Sequence, residues 1–317
     1  MAGVQVYEPS LNEKMSSEVY IIRLSSPPLN ILNKSTRESL LKDLDTAVKD
    51  TETKMIIIVG SETAFSVGAD INEMNQRIGK NQEAKQLVME SYVNAYKDTN
   101  LASIVYALDS CPKPIIALIT GQCFGGGLEL ALGCQYRICT ENSVFRFPET
   151  LIGIIPGALG TQLLPRLVSF DTAIKMCTGM CKMLNANEAK DAGLIDQILK
   201  IDENEKKMLL SNQRLESYIS STVRVLKRHI YHTNKHGNGV IKNIPNPFRR
   251  TSQLDIITND LSIISRISYH VMQTLPPYNK GGKASRECIK CLIACVNNNN
   301  NNNNNNDNNN NDNNDNN

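Results

Sequence analysis

Short, wholly apolar runs alternate with amphipathic stretches through the first two hundred residues. "VYIIRL", from Val19, reads as a strand, and "SSPPLNIL" stops it at Pro27 and Pro28. "KMIIIVG" (54–60), "PKPIIALIT" (112–120) and "QYRICT" (135–140) are strands too. The first two are continuously hydrophobic and β-branched, as in a parallel sheet buried on both faces. In "NKSTRESLLKDLDTAVKD", Leu40, Leu41, Leu44, Ala47 and Val48 fall at helical spacing. The loop "SETAFSVGAD" is followed by a polar helical stretch to about residue 108. "GGGLELALGC" starts a helix at its glycines. The helical pattern returns from Asp171 to about Leu199, with a break at Gly193.

Strands separated by helices predict an α/β fold with a largely parallel sheet. Beyond Asp202 the pattern is helical, clearest in "SYISSTVRVLKRHI" and "LDIITNDLSIISRISYHVM", with "GNGVIKNIPNPF" as a loop between them. Every residue after Val296 is Asn or Asp. That tract has no apolar surface to offset the entropy of ordering, so disorder is expected. The organisation read from the chain is a catalytic core over 1–200, a helical region over 201–296 and an Asn-rich tail over 297–317.

Composition narrows the class without naming it. Hydrophobic and charged shares of 41% and 21% are those of a soluble globular protein, and a net charge of +2 argues against nucleic acid or a membrane as the main partner. No apolar run approaches the roughly 18 residues of a membrane span. "MAGVQVYEPSLNEK" has neither a basic nor an apolar leader segment, so the chain is not expected to be secreted. The nine cysteines then read as reduced intracellular thiols. Cys288, Cys291 and Cys295, with Cys177 and Cys181, could suggest a metal site, but their spacing is that of one apolar helix face and no second C-x-x-C completes a zinc pattern. His229, His232 and His236 lie in a basic, polar stretch that reads as a solvated helix face, so no metal is assigned. Arg249 and Arg250 could meet phosphates.

The chemistry is concentrated in "GQCFGGGLELALGC". A strand enters three glycines and then a helix, whose first N–H groups have no intrahelical partner and favour negative charge. A P-loop would need Lys-Ser/Thr after the glycines, where Leu128-Glu129 stands, and the dinucleotide fingerprint is also missing. Glu129 would repel a phosphate. An oxyanion that forms during reaction, with a carboxylate beside it to move a proton, fits better. The same glycines would also serve close helix–strand packing, with Glu129 in a salt bridge. The loop "AFSVGAD" repeats the strand-to-glycine transition, so two N–H groups could converge on one carbonyl oxygen, flanked by Glu129 and by Glu149 of "FRFPET".

"AFSVGADINEM", "PKPIIALITGQCFGGGLELALGCQYRI" and "FRFPETLIGIIPGALGTQLLPRL" together resemble the crotonase, or enoyl-CoA hydratase/isomerase, superfamily, over about Val19 to Leu199. The wording is nearest to the hydratase/isomerase domain of peroxisomal bifunctional enzymes. "YNKGGKASRECIKCLIACV" is similar to the helix that follows that domain. The resemblance implies a spiral of ββα units with a helical C-terminal region, and a trimer or hexamer. It implies an acyl-CoA substrate and no separate cofactor, coenzyme A being part of the substrate. By position, Val67 and Gly126 would supply the oxyanion-hole N–H groups, Glu129 would activate water, and Glu149 would deliver a proton to the α-carbon. Gly125 and the segment Gly68, Ala69, Asp70 and Ile71 would bind substrate. Having both glutamates favours hydration of a trans-2-enoyl-CoA in fatty-acid β-oxidation over Δ3,Δ2-isomerisation through Glu149 alone, or over a catalytically weak binding protein. Where bifunctional relatives continue into a dehydrogenase this chain runs into asparagine, so no dehydrogenase activity is expected. A peroxisomal setting follows from the resemblance, although no Ser-Lys-Leu type tripeptide is seen; the other setting is cytoplasmic. Arg146 departs from the pattern, standing where most relatives have glycine: it could depress the Glu149 pKa, crowd the acyl pocket or point outward. Val67 replaces a smaller residue and could narrow the site.

Overall fold

Two sheets organise the chain. The computed structural model describes residues 14–16, 18–73, 100–181, 183–200, 211–234, 251, 254, 261–275 and 282–311. Strands β1 (Lys14–Ser16), β2 (Val19–Arg23), β3 (Met55–Val59), β5 (Ile115–Ile119), β7 (Tyr136–Thr140) and β10 (Gln197–Leu199) form the larger sheet in that order. It is parallel from β2 to β10, with β1 antiparallel at the edge. Strands β4 (Ala64–Ser66), β6 (Gln122–Phe124), β8 (Val144–Arg146) and β9 (Leu184–Asn185) form the smaller one. The chain visits the sheets in alternation, β3 then β4, β5 then β6, β7 then β8. This is the spiral of ββα units implied by the resemblance.

The alternation of side chains explains why the larger sheet is apolar throughout. Ile56, Ile58, Ile115, Ala117 and Ile119 face a core that Phe65, Cys123 and Phe145 of the smaller sheet complete. Met55, Ile57, Val59, Ile116, Leu118 and Ile138 face the other way. There they meet Tyr218, Ile219, Val223 and Leu226. Each such side chain contributes about 1.5–3 kcal/mol on burial.

The helices are α1 (Lys34–Lys49), α2 (Leu101–Asp109), α3 (Gly126–Leu132), α4 (Gly160–Leu163), α5 (Phe170–Cys177), α6 (Ala186–Asp191), α7 (Ser211–Asn234), α8 (Leu261–Thr274) and α9 (Lys283–Asn311). Asn33, Asn100, Ser169 and Asn185 each cap a helix N-terminus through a side-chain oxygen. Among the described residues no helix is long and apolar enough to cross a membrane.

Several local expectations differ. "SETAFSVGAD" holds strand β4, and the glycine-rich turn is preceded by β6. Gln197–Leu199, placed in a helical stretch, pairs with β7 as the sheet's last strand. These pieces are three residues long, too short to show a period of two, and pairing with a neighbour decides them. Residues 74–99, most of the expected polar helix, lie outside the described residues, as does the loop 237–248. Helix α9 runs on into the asparagine tract to Asn311; among the side chains described, Val296 is the last that is buried and Asn297 is exposed.

Candidate active site

Each of the three consecutive glycines faces a different neighbour. Gly125 has φ +51°, and a methyl group built on it would lie 2.9 Å from Oε1 of Glu149. Only glycine combines that backbone with so close a carboxylate. A methyl on Gly126 would come within 2.5 Å of Leu101 Cδ2, with the Ala69 nitrogen 3.4 Å away, and one on Gly127 would come within 2.3 Å of the Ser66 carbonyl. Close packing therefore accounts for the side-chain hydrogen at Gly126 and Gly127, while Gly125 faces the Glu149 carboxylate.

Glu129 lies one turn into α3 and is buried. Its partners are backbone groups: Oε1 accepts N–H bonds from Ala158 (2.7 Å) and Gly160 (2.9 Å). Two N–H groups two residues apart converge on one oxygen because Leu159 between them is left-handed, at φ +72°. For a bulky residue that conformation is strained, and the strain sits where an anion is held. Burial pushes the Glu129 carboxyl up to about 7, and the Gly160 and Ala158 N–H groups pull against it. Sequence reading missed this nest. Its signal was "PGALG", whose second glycine sits 2.8 Å, counted from an added methyl, from Glu129 Oε1.

Glu149 opens a 3-10 turn, Glu149–Ile152, separated from the end of β8 by two residues. It is buried, and its Oε2 has no hydrogen-bond partner among the described residues. Burial, and after it the charge of Glu129, raises its pKa to about 8. Arg146 is not among the causes of that shift. Its charge is felt at Cys181, whose thiol burial raises and Arg146 lowers. Arg146 is half-buried, with Nε unpartnered among the described residues.

The structure commits the Val67 N–H elsewhere: it donates to the Leu29 carbonyl at 3.1 Å. Val67 therefore offers no free donor, and that assignment is corrected. The neighbouring amides are also arranged by local bonds. The Gly68 N–H donates to Ser66 Oγ, and the Gly68 carbonyl accepts from the Leu32 N–H in a parallel bridge between Leu32 and Ala69. In this bridge the Leu32 N–H pairs with Gly68, and the Ala69 N–H is not one of the groups bonded to Leu32. Ala69 is exposed and the Gly126 N–H is at the first turn of its helix, so the two donors lie side by side. Asp70 uses Oδ1 to accept the Asn72 N–H at 2.8 Å, and Ile71 is exposed.

The cysteines lie in the packing. Cys177 and Cys288 are buried and share a hydrogen bond that, with burial, holds the Cys177 thiol well above its usual range. Cys295 is buried, and Cys181 and Cys291 are half-buried. The side chains of His229, His232 and His236, and all of Arg249 and Arg250, lie outside the described residues.

A family model described as enoyl-CoA hydratase/isomerase matches residues 14–242, and the chain belongs to that family. The peroxisomal bifunctional enzyme of Homo sapiens is 35% identical over 208 residues, which cover 64% of this chain and 26% of that protein. This chain thus spans about a quarter of the bifunctional enzyme's length. A probable mitochondrial enoyl-CoA hydratase of Dictyostelium discoideum is 34% identical over 224 residues, 69% of this chain and 73% of the relative. The solved enoyl-CoA hydratase of Bacillus anthracis has the same fold, with a TM-score of 0.53 at 22% identity over 87% of this chain and 88% of that one.

Proposed function

We propose that the chain is an enoyl-CoA hydratase that adds water across a trans-2-enoyl-CoA to give a 3-hydroxyacyl-CoA. The observation that carries this reading is the pair of buried glutamates, Glu129 and Glu149, raised to about 7 and about 8 and close enough that the Glu129 charge acts on Glu149. An isomerase using Glu149 alone would have no need of the nest built for Glu129.

In the proposed reaction the thioester carbonyl takes the Ala69 and Gly126 N–H bonds. Water gives a proton to Glu129, and its oxygen bonds to the β-carbon. The alkene electrons move to the thioester oxygen as an enolate, which the two donors stabilise. One such donor is worth about 2.7–4 kcal/mol to a transition state. Glu149 then protonates the α-carbon and the carbonyl re-forms. The proton on Glu129 passes back to Glu149 before the next turnover. The steps balance with coenzyme A as part of the substrate and no other group consumed. A homo-oligomer and a peroxisomal setting accompany this reading through the resemblance. Light scattering and a fluorescent fusion test them.

The test is loss of the conjugated enoyl-thioester absorbance with short and medium trans-2-enoyl-CoA. Glu129→Gln and Glu149→Gln should each lower kcat by about 10²–10⁴. Folded wild type that leaves the 2-enoyl thioester untouched sinks the hydratase. Turnover of a 3-enoyl-CoA would then make the chain an isomerase, and turnover of neither would make it a binding protein.

A further inference from the structure

Ala69 sits on a segment that would be free to drift: it is exposed, follows a glycine at φ +100°, and precedes an exposed isoleucine. What holds it lies on the first turn of α1. Arg37 is 5% exposed. Its Nη1 donates to the Leu32 carbonyl at 2.6 Å and to Glu73 Oε2 at 3.1 Å, and its Nη2 also reaches Glu73 Oε2 at 3.1 Å. The other oxygen of Glu73, Oε1, accepts the Lys34 N–H at 2.7 Å. So the Glu73 carboxylate caps the N-terminus of α1, where the helix dipole favours negative charge, and is gripped from below by a buried guanidinium.

Both ends of the segment are thereby tied to one place. At its start, Leu32 holds Gly68 and bridges Ala69. At its end, Glu73 is bound to Lys34 and Arg37. Arg37 touches both anchors, Leu32 and Glu73. Half of the pair is buried at 6% side-chain exposure and half is open at 29%, so removing either partner leaves a charge facing a poorly solvated site.

We infer that Arg37 and Glu73 are a positioning pair for the oxyanion hole: they set where the Ala69 N–H points relative to Gly126, without touching substrate. The inference rests on the proposed hydratase reading. The bonds of the pair described above run to Leu32 and Lys34, which hold the Ala69 segment, so it acts on carbonyl polarisation and not on proton transfer. A donor displaced by about 1 Å costs on the order of 10²-fold.

The experiment reads the hole directly. A conjugated arylacryloyl-CoA absorbs at longer wavelength when its thioester carbonyl is hydrogen-bonded. Wild type should shift the bound spectrum. Glu73→Gln and Arg37→Met should shrink that shift and lower kcat by about 10–100-fold with KM little changed. Arg37→Lys, which keeps the charge but not the fork, should recover part of both. Glu129→Gln should lose turnover yet keep the spectral shift. Lys113→Met, which removes a cation donating to the Ala47 and Asp50 carbonyls at the far end of α1, should lower the melting temperature and leave the shift intact. If Arg37→Met does not fold, Glu73→Gln decides. A folded Glu73→Gln with a wild-type shift overturns the inference, whatever its kcat. Wild type that shifts the spectrum without hydrating defeats the hydratase reading and leaves the pair's role readable. Wild type that does neither overturns both.

Discussion

Glu129 and Glu149 are held near neutrality by unequal balances. Burial raises both, but two N–H groups oppose it at Glu129, while the charge of Glu129 adds to it at Glu149. Because the two interact, the pair titrates as a unit. Hydration needs one carboxylate and one carboxylic acid. Below about 7 both are protonated and the base is lost; above about 8 both are ionised and the acid is lost. A bell-shaped kcat/KM profile with limbs near those values is expected, and Glu129→Gln should abolish the acid limb. Stability runs the other way from the usual carboxylate. Both folded pKa values lie above the ordinary 4.5, so the folded chain binds more protons between 4.5 and about 8 and stability falls as pH rises through that window. Melting temperature against pH should have a shallower fall in Glu149→Gln than in wild type. An equal slope would show that Glu149 titrates normally.

At the scale of elements, the site depends on three short turns: the glycines before α3, the Glu149 turn after β8, and Ala158–Gly160 before α4. Gly125→Ala should place a methyl 2.9 Å from Glu149 Oε1 on a backbone alanine does not favour. The expected result is a folded protein with kcat reduced by more than 10-fold. Crystallography or spectral titration of the Glu149 pKa would show whether the carboxylate has been pushed aside. Much of this was legible in the chain. The buried strands, α1, both glutamates, Gly126 and the spiral follow from continuous apolar runs and from long motifs in order. What escaped was decided by pairing or by backbone direction. β4, β6 and β8 are three residues each and exist because they join one another. Val67 and Ala69 are two residues apart in one loop, and only the bridge to Leu32 decides which N–H is free. The nest at Glu129 depends on the φ of Leu159, which no side-chain pattern encodes.

At the scale of the whole molecule, the family match ends at residue 242, yet a later helix supports the site. Helix α9 packs on α4 and α5. Its Ser285 Oγ donates to the Thr178 carbonyl at 3.2 Å, and Cys295 Sγ donates to the Gln162 carbonyl at 3.5 Å. Cys288, Ile289, Leu292, Cys295 and Val296 are buried in the same core as the strands. Because α4 begins at Gly160, whose N–H holds Glu129, a loose α9 would loosen the nest. Ile289, Leu292 and Val296 contribute about 1.5–3 kcal/mol each, a large fraction of the 5–15 kcal/mol that holds a typical domain together. A chain ending at Gly282 should therefore fail to give a cooperative melt. Leu292→Ala should fold but lose about 2–5 kcal/mol and turn over more slowly as the temperature approaches its lowered midpoint. Asparagine favours helix poorly and Asn297 is exposed, so removing 298–317 should leave both melting temperature and kcat unchanged. If that shorter deletion destabilised the protein as much as Leu292→Ala does, the packing that ends at Val296 would not be what anchors the last helix.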